Sequence, residues 1–520
     1  MNRLAALLLL MGAMAGPAFS QLACDPNDRL YTDLKLWEDR GIIRHLPPLR
    51  PYPVQLLRTL LTEVEQRGDA NDAAAAGAYL GRETGLLAFH AETAAEARGT
   101  ARDPYGEMSL RGTFQGCVDP LVTYSGFLGA VIANGSRDSA LPEYQRPTVD
   151  YITDASVRPL GSTGLVPHVS SASSAAIGTD SFYFQAGDTR GSFGPFWGDN
   201  AVLSPDSPQA GQFSYVYRHP SFTVTEMVMA LSAMDSSGRY GPSPGKFLAL
   251  HSLEIYPLPW LTLGVFESIV WGPRFELLYL LPFCTYFYTQ GFVGYPDNSF
   301  LGIDAGVRLP GAVRADFVLY IDDAEFNDLV RGNFDTKLKL AAQAGLSWTP
   351  HLPLLTRLEL NVLAITPYTY THTNTRGDLP GDPNYLDYTN AGQDIGPSLS
   401  PDSARVEIQA LLRPLQFLDV APFGRIILHG NASQGLYAGA GTIFDSGFSQ
   451  DAYSRLRFLT QSTIEKTIQA GLRLSARLDA PTTSATVSLA WTIECVLNAG
   501  AVAHRNALNN YLGARLQCLF

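Results

Sequence analysis

From Tyr105 to the last residue, apolar and polar positions alternate with a period of two. Leu301, Ile303, Ala305, Val307 and Leu309 share one phase, while Gly302, Asp304, Gly306 and Arg308 take the other. The next segment sets Val313, Ala315, Phe317, Leu319 and Ile321 against Arg314, Asp316, Val318, Tyr320 and Asp322. Val406, Ile408, Ala410 and Leu412 repeat the pattern, as do the runs 468–478 and 485–494. Successive side chains of a strand point to opposite faces, so these runs predict strands with one apolar face. Each has the roughly 9–11 residues that a tilted strand needs to cross a bilayer. About seventeen or eighteen such strands fit between Tyr105 and Phe520.

Residues 25–100 carry a different period. Leu34, Leu36 and Trp37 fall at helical spacing within Tyr31 to Arg40, and Gly41 ends the run. A proline-rich link follows, then a second helical run from Val54 to Glu65 and a third, alanine-rich, from Asn71 to Arg98. Ahead of them, Arg3, an apolar stretch from Leu4 to Met14 and Ala18-Phe19-Ser20 read as a secretory signal. The expected organisation is a signal peptide over 1–20, a periplasmic helical bundle over 21–100 and a barrel over 101–520. Cys24 after Leu22-Ala23 offers a lipidation site with an imperfect motif.

Composition separates the membrane barrel from a soluble sandwich. Only 17% of the 520 residues are charged and mean hydropathy is +0.01, too few charges for the solvent faces of a sandwich this long. In lipid every backbone N–H and C=O must be bonded internally, which leaves a closed barrel as the solution for strands. The expected fold is mainly β, a transmembrane β-barrel of about 18 antiparallel strands with a small N-terminal periplasmic α-helical bundle. The alternating last strand ends on Phe520 and resembles the insertion signal of bacterial outer-membrane barrels. Barrel-insertion machinery and outer-membrane lipid are therefore expected partners, in a diderm envelope. A net charge of −12 without a basic domain excludes a general nucleic-acid binder. Cys495 and Cys518 could meet or stay unpaired.

No catalytic spacing is found among the nine His, and neither a metal nor a cofactor is expected. Asp322-Asp323 with Glu325 could hold a cation or be solvated acids. In the phase assigned to the lumen lie Arg308, Arg314, Lys337, Lys339, Arg357, Arg405, Arg413, Arg473 and Arg477, beside Asp304, Asp316, Glu359 and Glu407. Two readings compete: the charges pair and close the lumen, or a surplus of cations draws acidic solutes or saccharides. The long segment from Thr366 to Ser403 reads as a functional loop, with Tyr368, Tyr370 and Tyr385 as candidate sugar contacts. It also holds Arg376-Gly377-Asp378, an integrin-type tripeptide. The hydrophobic insert Leu277 to Tyr288 does not alternate and is expected to pack inside the barrel.

Several segments resemble the Wzi-type capsule assembly family of outer-membrane proteins. They are the entry Leu34, Leu36 and Gly41-Ile42-Ile43 with its proline-rich link, and Gly194-Pro195-Phe196-Trp197-Gly198 followed by Ala201-Val202-Leu203-Ser204. His251-Ser252-Leu253-Glu254 through Trp260 to Trp271-Gly272 is similar as well, then Leu301-Gly302-Ile303-Asp304, and Asn390-Ala391-Gly392 to Pro401-Asp402. The order of Trp and Gly-Pro around Trp197 departs from the family pattern. The resemblance implies a barrel of about eighteen strands with a helical bundle on the periplasmic side, binding surface polysaccharide without catalysis. A porin or solute channel, and a host-contact adhesin, are the alternative readings.

Overall fold

The computed structural model describes residues 25–80, 88–100, 104–134, 159–161, 164–196, 198–234, 240–281, 284–350, 352–372, 384–430, 455–479 and 483–520. The signal-peptide segment, Cys24, Trp197 and the Arg-Gly-Asp tripeptide lie outside them. Three helices come first: α1 (Arg29–Asp39), α2 (Val54–Arg67) and α3 (Ala70–Leu80). Asp28 caps α1, its carboxylate accepting from the Leu30 N–H at 2.8 Å, an arrangement worth about 1 kcal/mol. Gly41, at φ +78°, turns the chain out of the helix in a conformation that favours glycine.

The barrel strands are β1 (Ala88–Gly99), β2 (Pro104–Asp119), β3 (Val122–Asn134), β4 (Val166–Gly178), β5 (Phe182–Thr189) and β6 (Ala210–His219). They continue as β7 (Phe222–Met234), β8 (Tyr240–Leu258), β9 (Leu261–Trp271), β10 (Asn298–Leu309), β11 (Val313–Ala324) and β12 (Leu338–Trp348). The last six are β13 (Leu355–Ile365), β14 (Ser403–Leu415), β15 (Leu418–His429), β16 (Glu465–Asp479), β17 (Ser484–Leu497) and β18 (Ala507–Leu519). Each pairs antiparallel with its neighbours, and β18 pairs with β1 to close an 18-strand barrel among the described residues. The third helix does not reach Arg98 as expected: α3 ends at Leu80, and residues 88–99 form the first barrel strand. Alanine content favoured a helix, but strand pairing on both sides, to β2 and β18, outweighs local propensity.

The alternation faces as predicted. On β10, Leu301 and Ile303 are 43% and 45% exposed on the outer surface, while Asp304 is 6% exposed inside. An apolar face turned outward and a polar face turned inward is the reverse of a soluble sandwich, and suits a hydrocarbon surround. Connections at one end of the barrel are short, as at 310–312 and 259–260; those at the other include the long segments 190–209, 272–297 and 366–402. Phe182, Trp260, Trp348 and Phe417 stand exposed beside the short turns, where an aromatic belt meets a membrane interface. Cys495 and Cys518 stand at opposite ends of adjacent strands and are unbridged.

The hydrophobic insert, expected inside the barrel, lies elsewhere: residues 277–281 and 284–288 fold back over the outer wall. Tyr279 and Tyr286 pack with Ala249, Ile269 and Trp271, which share the outward phase of Leu253 and Val265. Inside the barrel, α1 and α2 plug the short-turn end. Leu34, Trp37, Leu56, Leu57, Leu60 and Leu61 are buried in one core with Phe193, Val202 and Phe266 of the barrel and its inward loops. Each such side chain contributes roughly 1.5–3 kcal/mol by leaving water.

Candidate functional site

The lumen is the place where the polar residues converge, and the helical plug decides how they are used. α1 places Asp33, Lys35, Glu38 and Asp39 against β11 to β14. Lys35 Nζ lies 3.2 Å from Glu38, 3.3 Å from Asp39 and 3.0 Å from Asp316 of β11. Arg314 reaches Glu38 at 3.3 Å and Asp316 at 2.8 Å. Arg357 pairs with Glu359 at 3.1 Å, and Arg413 with Asp33 and Asp419 at 2.8 Å each. Asp39 also accepts from the Ser347 hydroxyl at 2.8 Å. Such charges are stable inside a barrel because each finds an opposite partner and hydrogen bonds.

The electrostatics of the plug follow. Burial alone would raise the Glu38 carboxyl, but the Arg314 and Lys35 charges and the Leu46 N–H outweigh it and hold the group at about 2. His45 stacks on Tyr256 with ring centres 3.9 Å apart. Burial pulls its imidazole down to about 4, with Arg308, Arg314 and Arg44 adding to the shift and Glu38 opposing it.

Two loops complete the filling. Residues 49–50 and 192–193 pair as short strands, and Arg50 donates to Ser192 Oγ at 2.7 Å and the Phe196 carbonyl at 2.9 Å. The segment Ala201-Val202-Leu203 is fully buried. From the long-loop end, residues 366–372 and 384–402 fold inward. The Tyr370 hydroxyl donates to the Ala201 carbonyl at 2.5 Å, and the ring stacks on Tyr388 at 5.4 Å. Asp199 joins both loops to the wall: it accepts from the Ser398 N–H at 3.0 Å and pairs with Arg405 of β14.

The sequence-derived candidates now have places. Arg314, Asp316, Arg405 and Arg413 point inward as expected and are taken up by the plug or by loop 190–209. Arg308 donates to the Arg44 carbonyl at 2.9 Å. Asp304 lines a small polar recess, about the size of a water molecule, with Glu38, Glu254 and Arg314. Tyr368, Tyr370 and Tyr385 are 5%, 2% and 8% exposed, so they are packing residues rather than an open sugar-stacking surface. Asp322 accepts from the Tyr370 N–H at 2.8 Å and lies 3.3 Å from Lys339, and Asp323 pairs with Lys337. That acid cluster is occupied by lysines.

Arg473 of β16 differs. Its side chain faces the lumen, exposed, with the guanidinium 4.7 Å from the centre of the Phe423 ring. Phe423 lies flat over Gly471, where an added Cβ would come within 2.5 Å of the ring. Arg425 approaches the same ring at 5.7 Å while bonding Glu407 at 2.9 Å. On β2 and β3, Arg111 stands 4.6 Å over Phe127. A cation beside an aromatic face can hold a carboxylate and an apolar ring face together. The plug acids, Asp199 and Phe423 escaped sequence reasoning, because helix charges give no sign of what they will meet.

No protein-family model and no curated protein sequence matches this chain. Among solved structures, the chain is similar in fold to Wzi of Escherichia coli, a carbohydrate-binding outer-membrane β-barrel involved in group 1 capsule assembly. That likeness has a TM-score of 0.59 at 11% identity and covers 97% of this chain and 99% of that one. OpdP of Pseudomonas aeruginosa gives a TM-score of 0.44 at 10% identity over 84% of this chain and 92% of its own. OccAB2 of Acinetobacter baumannii gives 0.44 at 9%, over 84% and 98%. At these identities the likeness is one of fold.

Proposed function

We propose that this chain is a non-catalytic outer-membrane barrel of the Wzi type that binds and organises an acidic surface polysaccharide at the cell exterior. The short-turn end and its helical plug face the periplasm in this reading, and the long loops face outward. The observation that carries it is the ion network between α1 and the wall. The lumen cations Arg314, Arg357 and Arg413 hold a plug in place instead of lining a free path. A barrel filled in this way suits retention of a ligand better than solute flow. The saccharide side of the reading rests on the fold shared with a carbohydrate-binding barrel over nearly the full length of both chains. Its acidic character rests on the exposed Arg473 at the Phe423 ring.

The test is equilibrium binding of purified barrel to acidic and neutral envelope polysaccharides of the source. Loss of a charge-assisted hydrogen bond costs about 1.5–3 kcal/mol, so Arg473→Ala should weaken binding of the acidic polymer by about tenfold or more. Absence of binding to any envelope glycan would overturn the reading. Binding that Arg473→Ala and Phe423→Ala leave unchanged would remove this flank as the site.

A further inference from the structure

The outer wall of β7, β8 and β9 breaks its own rule. Its lipid-facing phase runs Val224, Glu226, Val228 on β7, then Ala249, His251, Leu253 on β8, and Val265, Glu267, Ile269 on β9. Strand register sets the three polar residues side by side: His251 pairs with Glu226 on one flank and Glu267 on the other. His251 Nδ1 lies 3.7 Å from Glu226, and Nε2 lies 3.5 Å from Glu267. Two carboxylates and an imidazole bare to hydrocarbon would be costly.

Residues after Trp271 cover them. Tyr286 opens a short helical turn whose N–H donates to Glu267 at 2.6 Å, and whose hydroxyl donates to Glu226 at 2.9 Å. Its ring tilts over His251 at 4.2 Å. Gln290 donates to Ser299 on the outward phase of β10 at 2.7 Å. The wall therefore supplies acceptors for the free N–H and hydroxyl of a non-strand segment, and that segment shields the wall's polar groups. Irregular backbone persists at membrane depth only where protein satisfies it in this way.

The far side of the segment is apolar. Phe292 and Tyr288 are 85% and 72% exposed, and Phe275, Leu277 and Phe287 stand out with them. From Leu277 to Pro296 no residue carries a charge. The charges sit at the base of the segment, where Arg274 pairs with Asp297, and Tyr279 donates to that same carboxylate at 2.6 Å. An uncharged aromatic face, continuous with the lipid-facing wall at Leu253, Val265 and Leu301, has the chemistry of a hydrocarbon contact and not of a water-exposed loop.

We infer that residues 274–281 and 284–297 form a membrane strap, latched onto the barrel's outer wall by Glu226, His251 and Glu267, with its aromatic side buried among lipid acyl chains. The occupant of that side is lipid, since the exposed face is aromatic and aliphatic, with a few hydroxyls but no charge to select a headgroup or a soluble partner. The strap anchors the long-loop end of β9 and β10 to the bilayer, next to the loops that fold into the lumen.

The test uses the full chain with its natural cysteines replaced by serine, reconstituted in lipid nanodiscs. Spin labels are placed at Phe292→Cys and Tyr288→Cys, with Leu301→Cys as the lipid-wall reference and Asp335→Cys as the aqueous reference. Folding of each variant is checked by heat-modifiable gel migration. The expected result is a ratio of oxygen to nickel-chelate collisions at 288 and 292 equal to that at 301 and well above that at 335. A ratio equal to that at 335 would overturn the strap. Shielding from both reagents would also overturn it, by showing a protein neighbour. In a second arm, Glu226→Leu with Glu267→Leu should mobilise the label at 292 and leave the label at 301 unchanged; an unmoved label at 292 would overturn the latch.

Discussion

Lys35→Met is the sharpest perturbation of the plug. The methionine keeps the length of the side chain and removes a charge that contacts Glu38, Asp39 and Asp316, all buried. Breaking a buried pair by deleting one partner costs about 3–5 kcal/mol, because the other charge stays buried and uncompensated. Arg314 and Arg357 remain close to the same acids, which favours the lower end of that range. At 1.4 kcal/mol per tenfold, about 3 kcal/mol lowers the docked-to-undocked ratio of α1 by roughly two orders of magnitude. Hydrogen exchange on α1 amides such as those of Leu34 and Trp37 reads that ratio, with β12 and β13 as an unaffected reference. Adding Asp316→Asn should return a large part of the lost protection, since the two residues are coupled. A loss of less than threefold in Lys35→Met, or two losses that simply add, would refute the claim that the ion network holds the plug.

Other outcomes follow from the same structure. The His45 imidazole is held down at about 4 against 6.5 when unfolded, so the folded state binds fewer protons between those values. Protection of α1 should therefore fall as pH drops from about 6.5 towards 4, and His45→Gln should flatten that window in the same exchange measurement. The Glu38 carboxyl is depressed to about 2, so its contribution is complete above about 4.5 and is lost as pH falls through 2; Glu38→Gln should remove that acid step. An added Cβ at Gly302 would come within 2.1 Å of the Phe266 ring, and Gly302→Ala should lower the heat-modification temperature, corresponding to about 1–3 kcal/mol. Gly311→Ala, with open space around it but φ +81°, should cost only backbone strain and shift that temperature less.

The strands were legible because a barrel in lipid exposes one phase and buries the other, which leaves period two in the sequence. That signal gave the inward direction of Arg314, Arg405 and Arg473, and a separate helical spacing gave the helices near Leu34 and Leu56. It failed at Ala88–Gly99, where alanines read as helix and only pairing with β2 and β18 makes a strand. The partners of the lumen cations were not legible, because Lys35 and Asp39 on a helix look the same whether they meet water or a barrel wall. The aromatic residues of the Thr366 to Ser403 loop pointed to a surface, yet Tyr370 and Tyr388 pack against Phe300 and Tyr320 inside. One missed signal was present in plain sight. Glu226, His251 and Glu267 each interrupt an apolar phase on consecutive strands just before an uncharged insert, and that coincidence marks an element lying over the outer wall.

The most direct measurement is single-channel conductance of the intact barrel in planar bilayers, with acidic envelope polysaccharide added from the long-loop side. A filled, ligand-retaining barrel should show no steady openings, while the same protein preparation binds the polysaccharide in solution. Large steady openings in the intact protein, reduced by small acidic solutes and indifferent to the polysaccharide, would contradict that and identify a conducting channel.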